Sequence, residues 1–201
     1  YPLLKPYSTV TNTLKRIKQE YPELKLAVLT DAPRLLGLLR LHKMELLNYF
    51  DAVFGAEDPM LPIVNNEVAV TDETLFKHIN RWKYSYIGMS HALPNEWRKP
   101  NIKGLKSLLI SLDLDDLPKE QILFVGDNVF KDVEVARRLG IRSCHAAYGV
   151  DVDMEAFEVI KEFAPDRFVH KGIDLHDKDH PKADHVIDQF ADILDLLELA
   201  D

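Results

Sequence analysis

The residues best suited to chemistry in this sequence are two acids that follow an apolar run. Residues 122–125 are Ile-Leu-Phe-Val, and they lead directly into Gly126 and Asp127, with a second acid at Asp132. The pattern predicts a buried strand that ends in a loop carrying two carboxylates. Ligands of parallel α/β sheets bind at the carboxyl ends of the strands, and carboxylates there suit Mg²⁺. A turn at Asp127 with Asp132 as a helix-capping acid is the alternative interpretation.

Two other positions carry groups that suit a phosphoryl anion. Thr30 and Asp31 end an apolar run, which places a hydroxyl and backbone N–H groups at a helix start, where anions bind. Lys99, followed by Pro100, precedes another helix, and a lysine there can neutralise a phosphate and keep nearby carboxylates ionised. Taken singly, Thr30 is equally well explained as a helix cap and Lys99 as part of a solvated loop.

Short apolar runs that alternate with amphipathic segments predict the elements that position these residues. Strands are expected at residues 25–30, 50–55, 121–125, 142–147 and 185–187. Helices are expected at residues 8–21, 33–48, 103–112, 132–139, 154–163 and 190–199. The alternation predicts a three-layer α/β fold with a mostly parallel sheet.

Two stretches and one cysteine stand apart from this alternation. Residues 57–98 are aromatic-rich and are interpreted as an insertion, which would form a small cap over substrate, a subunit contact or a packed hairpin. Residues 165–184 are rich in His, Asp and Lys, and a solvated surface loop is favoured there over a Zn²⁺ or Ni²⁺ site. Cys144 lies within a predicted strand and is interpreted as a small buried hydrophobe rather than a reactive thiol.

The composition excludes several classes of function. The 201 residues have a formal net charge of −8 and are 46% hydrophobic, as in a globular protein whose surface repels nucleic acid and anionic lipid. A single cysteine and the absence of a long apolar run predict a reducing, cytoplasmic setting with no membrane span. The sequence does not determine the oligomeric state.

Taken in order, the segments around Thr30, Lys99 and Asp127 resemble the motifs of the haloacid dehalogenase (HAD) superfamily. Members of that superfamily are mostly Mg²⁺-dependent phosphatases and phosphotransferases. The second family motif is similar to residues 26–31, the third to residues 98–100 and the fourth to residues 126–132. The resemblance implies a Rossmann-like α/β/α core.

The resemblance also implies a division of the chain. Residues 25–56 and 99–201 would form the core, and residues 1–24 would form the end of a cap or linker helix. Residues 57–98 would be the insertion between the two parts of the core.

The resemblance further implies a role for each candidate residue. Thr30 would hydrogen-bond the transferring phosphoryl group, assisted by the backbone of Asp31. Lys99 would balance the negative charge of a phosphoaspartyl intermediate. Asp127 would ligate Mg²⁺, and Asp132 would support the metal directly or through water. In the family reaction an aspartate attacks phosphorus, and water then hydrolyses the aspartyl phosphate.

The sequence departs from the family at its first motif, an Asp-x-Asp that supplies the nucleophile. That motif should lie upstream of Thr30, but residues 1–29 contain no aspartate. We therefore expect the nucleophile on a segment upstream of Tyr1, and a gap in the sheet between the strands that end at Thr30 and Asp127.

The predicted function is therefore Mg²⁺-dependent hydrolysis of a small phosphorylated metabolite, by a chain that is incomplete as an enzyme over these residues. One alternative is a catalytically inactive binding or scaffold domain. The other is a sheet rebuilt around a different strand, with Asp127 used for another purpose.

Overall fold

The computed structural model describes residues 4–58, 90–150 and 181–198, and these ranges contain alternating helices and strands. The helices are α1 Val10–Glu20, α2 Arg34–Lys43, α3 Ile102–Ser111, α4 Glu134–Leu139 and α5 Ile193–Glu198. The strands are β1 Ala27–Pro33, β2 Ala52–Ala56, β3 Ser90–Leu93, β4 Leu123–Gly126, β5 Arg142–Ala146 and β6 His185–Ile187. Short 3₁₀ turns occupy Leu47–Tyr49, Asn95–Trp97, Lys119–Gln121, Ala147–Val150 and Phe190–Asp192, and a π-helical turn spans Val129–Val133.

The strands of the described residues form two parallel three-stranded sheets. One sheet has the order β1-β2-β3 and the other has the order β4-β5-β6. All four neighbouring pairs are parallel, with Val28 opposite Val53 in the first sheet and Val125 opposite Cys144 in the second. The predicted α/β fold with parallel strands is confirmed.

Among the described residues, β1 and β4 are edge strands that do not pair with each other, which agrees with the gap expected from the sequence. All residues of β2 are buried, whereas every residue of β1 and of β4 is only half-buried. Both edge strands are apolar runs of the kind found at the centre of parallel sheets. In the part of the chain that the structure describes, neither strand has a neighbour on its second side, which fits their partial exposure.

Both sheets lie in one layer, because the same helices cover them on each face. On one face Leu105 of α3 and Val135 of α4 belong to a core that includes Leu29 of β1 and Phe124 of β4. On the other face Ile17 of α1 and Leu194 of α5 form a core with Leu26, Leu123 and Val125. The molecule thus has the predicted three layers, with a sheet layer in two parts.

Two local differences from the sequence prediction lie close to the loops of interest. The strand was expected to end at Thr30 and a helix to begin at Pro33, but β1 continues to Pro33, whose φ of −49° and ψ of 138° suit extended backbone. A helix was expected from Asp132, but a π-helical turn precedes α4, which begins at Glu134.

The structure also bears on the segments set apart in the sequence. Residues 90–93, assigned to the insertion 57–98, form β3 and pair with β2, so the end of that range belongs to the core. Residues 59–89 and the predicted helix at 154–163 lie outside the described residues. Among the described residues, no helix has the length and apolar character needed to cross a membrane.

Candidate active site

Three loops bring most of the candidate residues together at the carboxyl ends of β1 and β4. Thr30 and Asp31 lie near the end of β1, Lys99 precedes α3, and Asp127 and Asp132 follow β4. Direct contacts join Asp31 to Lys99 and Lys99 to Asp132. The candidate residues predicted from the sequence therefore lie at the same edge of the sheet layer. They come from both of its sheets.

Lys99 lies at the centre of this cluster and is held at both ends. Its backbone N–H donates to Asp31 Oδ1 at 3.0 Å. Its Nζ donates to the carbonyl oxygen of Leu29 at 3.2 Å and to Asp132 Oδ1 at 2.6 Å. The side chains of Lys99 and Asp132 are only 13% and 6% exposed, so the pair is largely desolvated. A desolvated and hydrogen-bonded ammonium is a fixed positive charge.

The π-helical turn after β4 holds Asp132 in place. The backbone N–H of Asn128 donates to Asp132 Oδ2 at 3.0 Å, and the Asn128 side chain accepts from the backbone of Lys131 at 3.0 Å. Gly126 is required here, because a Cβ at that position would overlap the Asp132 carboxyl group. Since both Asp132 oxygens already have partners, this carboxylate suits a supporting role around a metal.

Asp127 is in a different environment from Asp132. It is exposed, and in the described ranges its carboxylate has no hydrogen-bond or ion-pair partner. Gly149 lies beside it, where a Cβ would come within 2.6 Å of the Asp127 Cβ. An unengaged carboxylate at a strand end fits a hard divalent cation, which prefers oxygen ligands and retains several waters. Over those same ranges, no three His, Cys, Asp or Glu side chains form a ready-made metal cluster.

Thr30 and Asp31 occupy the end of β1 that faces this cluster. Thr30 Oγ1 accepts a hydrogen bond from the backbone N–H of Ala32 at 3.1 Å, which leaves its own hydrogen available to donate. The Asp31 carboxylate accepts from the Lys99 backbone through Oδ1 and from Lys131 Nζ through Oδ2 at 2.9 Å. Sequence reasoning gave Asp31 only a backbone role and did not assign Lys131.

Tyr148 and Cys144 are two groups that remain neutral at ordinary pH. Burial, followed by smaller effects of neighbouring groups that include Asp127, raises the pKa of Tyr148 to about 12. The Tyr148 ring packs edge-on against Tyr7, with ring centroids 5.0 Å apart. Burial also raises the pKa of Cys144 to about 11. Cys144 is fully buried, as predicted for a small hydrophobe without thiol chemistry.

The histidine-rich stretch is described only at its end. Asp184 accepts from the Ser143 backbone N–H at 2.8 Å and from the Ser143 hydroxyl at 2.7 Å. These hydrogen bonds, the side-chain one first, lower the pKa of Asp184. Asp184 therefore joins β5 to the segment before β6, and the other candidate ligands of that stretch lie outside the described residues.

Comparisons with known proteins bear on the fold and on the family that the chain resembles. Residues 96–193 match the family model described as HAD-hydrolase-like. None of the curated proteins matches the chain. A protein of Thermotoga maritima assigned as a β-phosphoglucomutase is similar in structure, with a TM-score of 0.53 and 19% identity over 98% of this chain.

Two further solved structures share the fold. One is YfnB of Bacillus subtilis, assigned as a HAD-hydrolase and bound to magnesium, with a TM-score of 0.52 and 11% identity over 95% of this chain. The other is an uncharacterized protein of Listeria monocytogenes serotype 4b, with a TM-score of 0.56 and 17% identity over 100% of this chain and 83% of its own.

The present chain spans 62% of the Thermotoga protein and 54% of YfnB. The region that matches the family model contains Lys99, Asp127 and Asp132, and the fold is shared along nearly the whole chain. By its motifs, its family match over residues 96–193 and its fold, the chain is similar to the haloacid dehalogenase-like hydrolases.

Proposed function

We propose that the protein containing this chain is a Mg²⁺-dependent phosphatase that hydrolyses a small phosphorylated metabolite through an aspartyl phosphate. The observation that carries this proposal is the buried Lys99 ammonium, which Asp132 and the Leu29 carbonyl hold between the two sheets. A fixed, desolvated cation at a strand end suits the charge that develops on a transferring phosphoryl group. Carboxylates and a hydroxyl donor surround it, as phosphoryl transfer requires.

Each residue has a task that follows from its contacts. The Thr30 hydroxyl, with its hydrogen available, would donate to a phosphoryl oxygen, and the Asp31 backbone would add a second donor. Lys99 would neutralise the remaining negative charge on the intermediate. Because the Asp31 carboxylate binds the Lys99 backbone at 3.0 Å, the end of β1 and the lysine are held at a fixed spacing.

Asp127 and Asp132 would hold the metal ion. Asp127 would be a direct ligand because its carboxylate is exposed and has no partner in the described part of the chain. Asp132 would act through water, because Lys99 and the Asn128 backbone occupy its oxygens. When bound, Mg²⁺ supplies Lewis-acid stabilisation of negative charge on the phosphoryl oxygens.

The gap between β1 and β4 would receive the strand that carries the nucleophile. The half-buried residues of both edge strands would then have a neighbour, and the two sheets would become one. The carboxyl end of such a strand would lie between Thr30 and Asp127, beside Lys99. A nucleophilic aspartate there would be within reach of every group described above.

A phosphoryl mimic tests this proposal on the protein expressed from its full natural reading frame. Beryllium fluoride with Mg²⁺ should raise the melting temperature of the wild-type protein. Asp127→Asn should abolish the shift, whereas Asp115→Asn, which removes an exposed acid away from the strand ends, should retain it. An unchanged shift in Asp127→Asn would remove Asp127 from the metal site.

The second candidate function is that of a binding or scaffold domain. It is favoured by the lack of any aspartate in residues 1–29, where the family nucleophile is expected. A scaffold would release phosphate from no ester in a broad panel, even with its natural upstream segment present. Turnover that is lost in Lys99→Ala would reject this alternative.

A further inference from the structure

The ion pair between Lys131 and Asp31 is the feature of the cluster that the family motifs do not account for. Lys131 Nζ lies 2.9 Å from Asp31 Oδ2, and the two residues are 100 positions apart in the chain. Their side chains are 40% and 22% exposed, so this pair is more accessible to solvent than the Lys99–Asp132 pair. It joins the end of β1 to the loop after β4, across the gap.

Consecutive residues of the π-helical turn thus reach two different partners. Asp132 binds the ammonium of Lys99, and Lys131 binds the carboxylate of Asp31. The Asp31 carboxylate also accepts from the Lys99 backbone, which closes the chain of contacts. The two lysines and two aspartates carry equal and opposite formal charges, so these four residues are together neutral before a substrate binds.

We propose that Lys131 is a positioning residue of the phosphoryl site and that it acts through Asp31. The inference rests on the proposed function, because it concerns the same site. The Asp31 carboxylate is attached to the backbone that would bind the phosphoryl group, and a free negative charge there would repel a phosphate dianion. Lys131 neutralises that charge and fixes the end of β1 relative to the metal-binding loop.

The mechanism predicts a specific kinetic effect of removing the lysine. In Lys131→Met the uncompensated Asp31 should weaken binding of the phosphate in ground state and transition state alike. KM should therefore rise about tenfold with kcat little changed. This is the result expected when an interaction that stabilises ground state and transition state equally is lost. The inhibition constant of inorganic phosphate should rise by the same factor, and the effect should shrink at high ionic strength.

A double-mutant cycle separates action through Asp31 from direct contact with the substrate. In Lys131→Met/Asp31→Asn the repelling charge is gone, while the amide oxygen can still accept from the Lys99 backbone. KM should return to within about twofold of wild type in that variant. Lys131→Arg should also retain a wild-type KM, because it preserves the charge that faces Asp31.

The experiment uses the protein from its full natural reading frame, with a phosphate ester that the wild type hydrolyses. Lys106→Met is the matched control, because it removes one exposed lysine from α3 and should leave KM unchanged. Melting temperatures are measured for all variants. Recovery of KM in the double variant, together with the control result, supports the proposal.

Three results would overturn it. An elevated KM that Asp31→Asn does not restore would mean that Lys131 contacts the substrate itself. A lower melting temperature with unchanged KM would mean that the pair only stabilises the fold. If the wild type hydrolyses no phosphate ester, the proposed function fails and this inference fails with it, which distinguishes that outcome from the other two.

Discussion

At the scale of single residues, the site depends on charges that the fold has already paired. Lys99 and Asp132 are desolvated together, and each is costly to bury alone. The sequence predicted both residues because each lies in a short local pattern, next to Pro100 and after Gly126. The Asp31–Lys131 pair was not predicted, because neither residue is close to the other in sequence and lysines are usually solvated.

Loss of one partner of the buried pair should destabilise the fold. Asp132→Ala leaves the Lys99 ammonium buried without its carboxylate, and we expect the free energy of unfolding to fall by about 3 kcal/mol. Urea titration monitored by circular dichroism measures this. The exposed Arg16–Glu20 pair supplies the control, because Glu20→Gln should change little. Equal effects of the two substitutions would show that Lys99 and Asp132 are not buried as described.

A methyl group at Gly149 should displace the Asp127 side chain. The new Cβ would come within 2.6 Å of the Asp127 Cβ, so one of the two must shift. We expect Gly149→Ala to weaken the response of the melting temperature to Mg²⁺ and beryllium fluoride. Gly140→Ala is a useful comparison, because its Cβ would meet nothing within 4 Å, although its φ of 70° makes that variant less stable. An undiminished shift in Gly149→Ala would contradict the packing at Asp127.

At the scale of elements, β1 and β4 have the sequences of central strands and the exposure of edge strands. Their apolar runs made them predictable, and the same patterns predicted β2 and β5. The strand β3 was missed because Ser-His-Ala-Leu has little β propensity and lies beside an aromatic stretch. The π-helical turn was missed because its hydrogen bonds depend on Asn128 and Asp132 together.

Hydrogen exchange tests whether a strand fills the gap in the protein from its full natural reading frame. We expect the amides of β1 and β4 to be as protected as those of β2, because a neighbouring strand would pair both edges. The short strand β6, which among the described strands pairs with β5 alone, is the internal comparison for edge behaviour. Rapid exchange along β1 and β4 in that protein would contradict the insertion of a strand.

At the scale of the whole molecule, the shared helical layers hold the two sheets together. One core joins Leu29, Phe124 and the helices α3 and α4, and another joins Leu26, Val125 and the helices α1 and α5. The fold class was predictable because helix and strand patterns alternate. The side-by-side arrangement of two sheets was predictable only through the missing family motif, since no local pattern encodes a gap.

Acid stability of the whole molecule should depend on Glu134. Hydrogen bonds from Arg137, and then from Arg138, lower the pKa of Glu134 to about 2 from 4.5. Because the pKa of Glu134 is lower in the folded state, its ionised carboxylate stabilises the fold above pH 4.5. This stabilisation disappears as the pH falls towards 2. Between pH 4.5 and pH 2, the free energy of unfolding should therefore fall less in Glu134→Gln than in the wild type. Urea titrations at several pH values test this, with the exposed Glu120→Gln as control, and parallel losses in Glu134→Gln and wild type would contradict it.

The central claim is that this site hydrolyses phosphate esters, and a direct assay of phosphate release tests it best. The protein from its full natural reading frame is assayed with Mg²⁺ against a broad panel of phosphorylated metabolites, beside Lys99→Ala. We expect at least one ester to be hydrolysed and that activity to be lost in the variant, because under the proposed function Lys99 would supply the positive charge at the phosphoryl group. Release from no ester, or turnover that Lys99→Ala leaves intact, would contradict the claim.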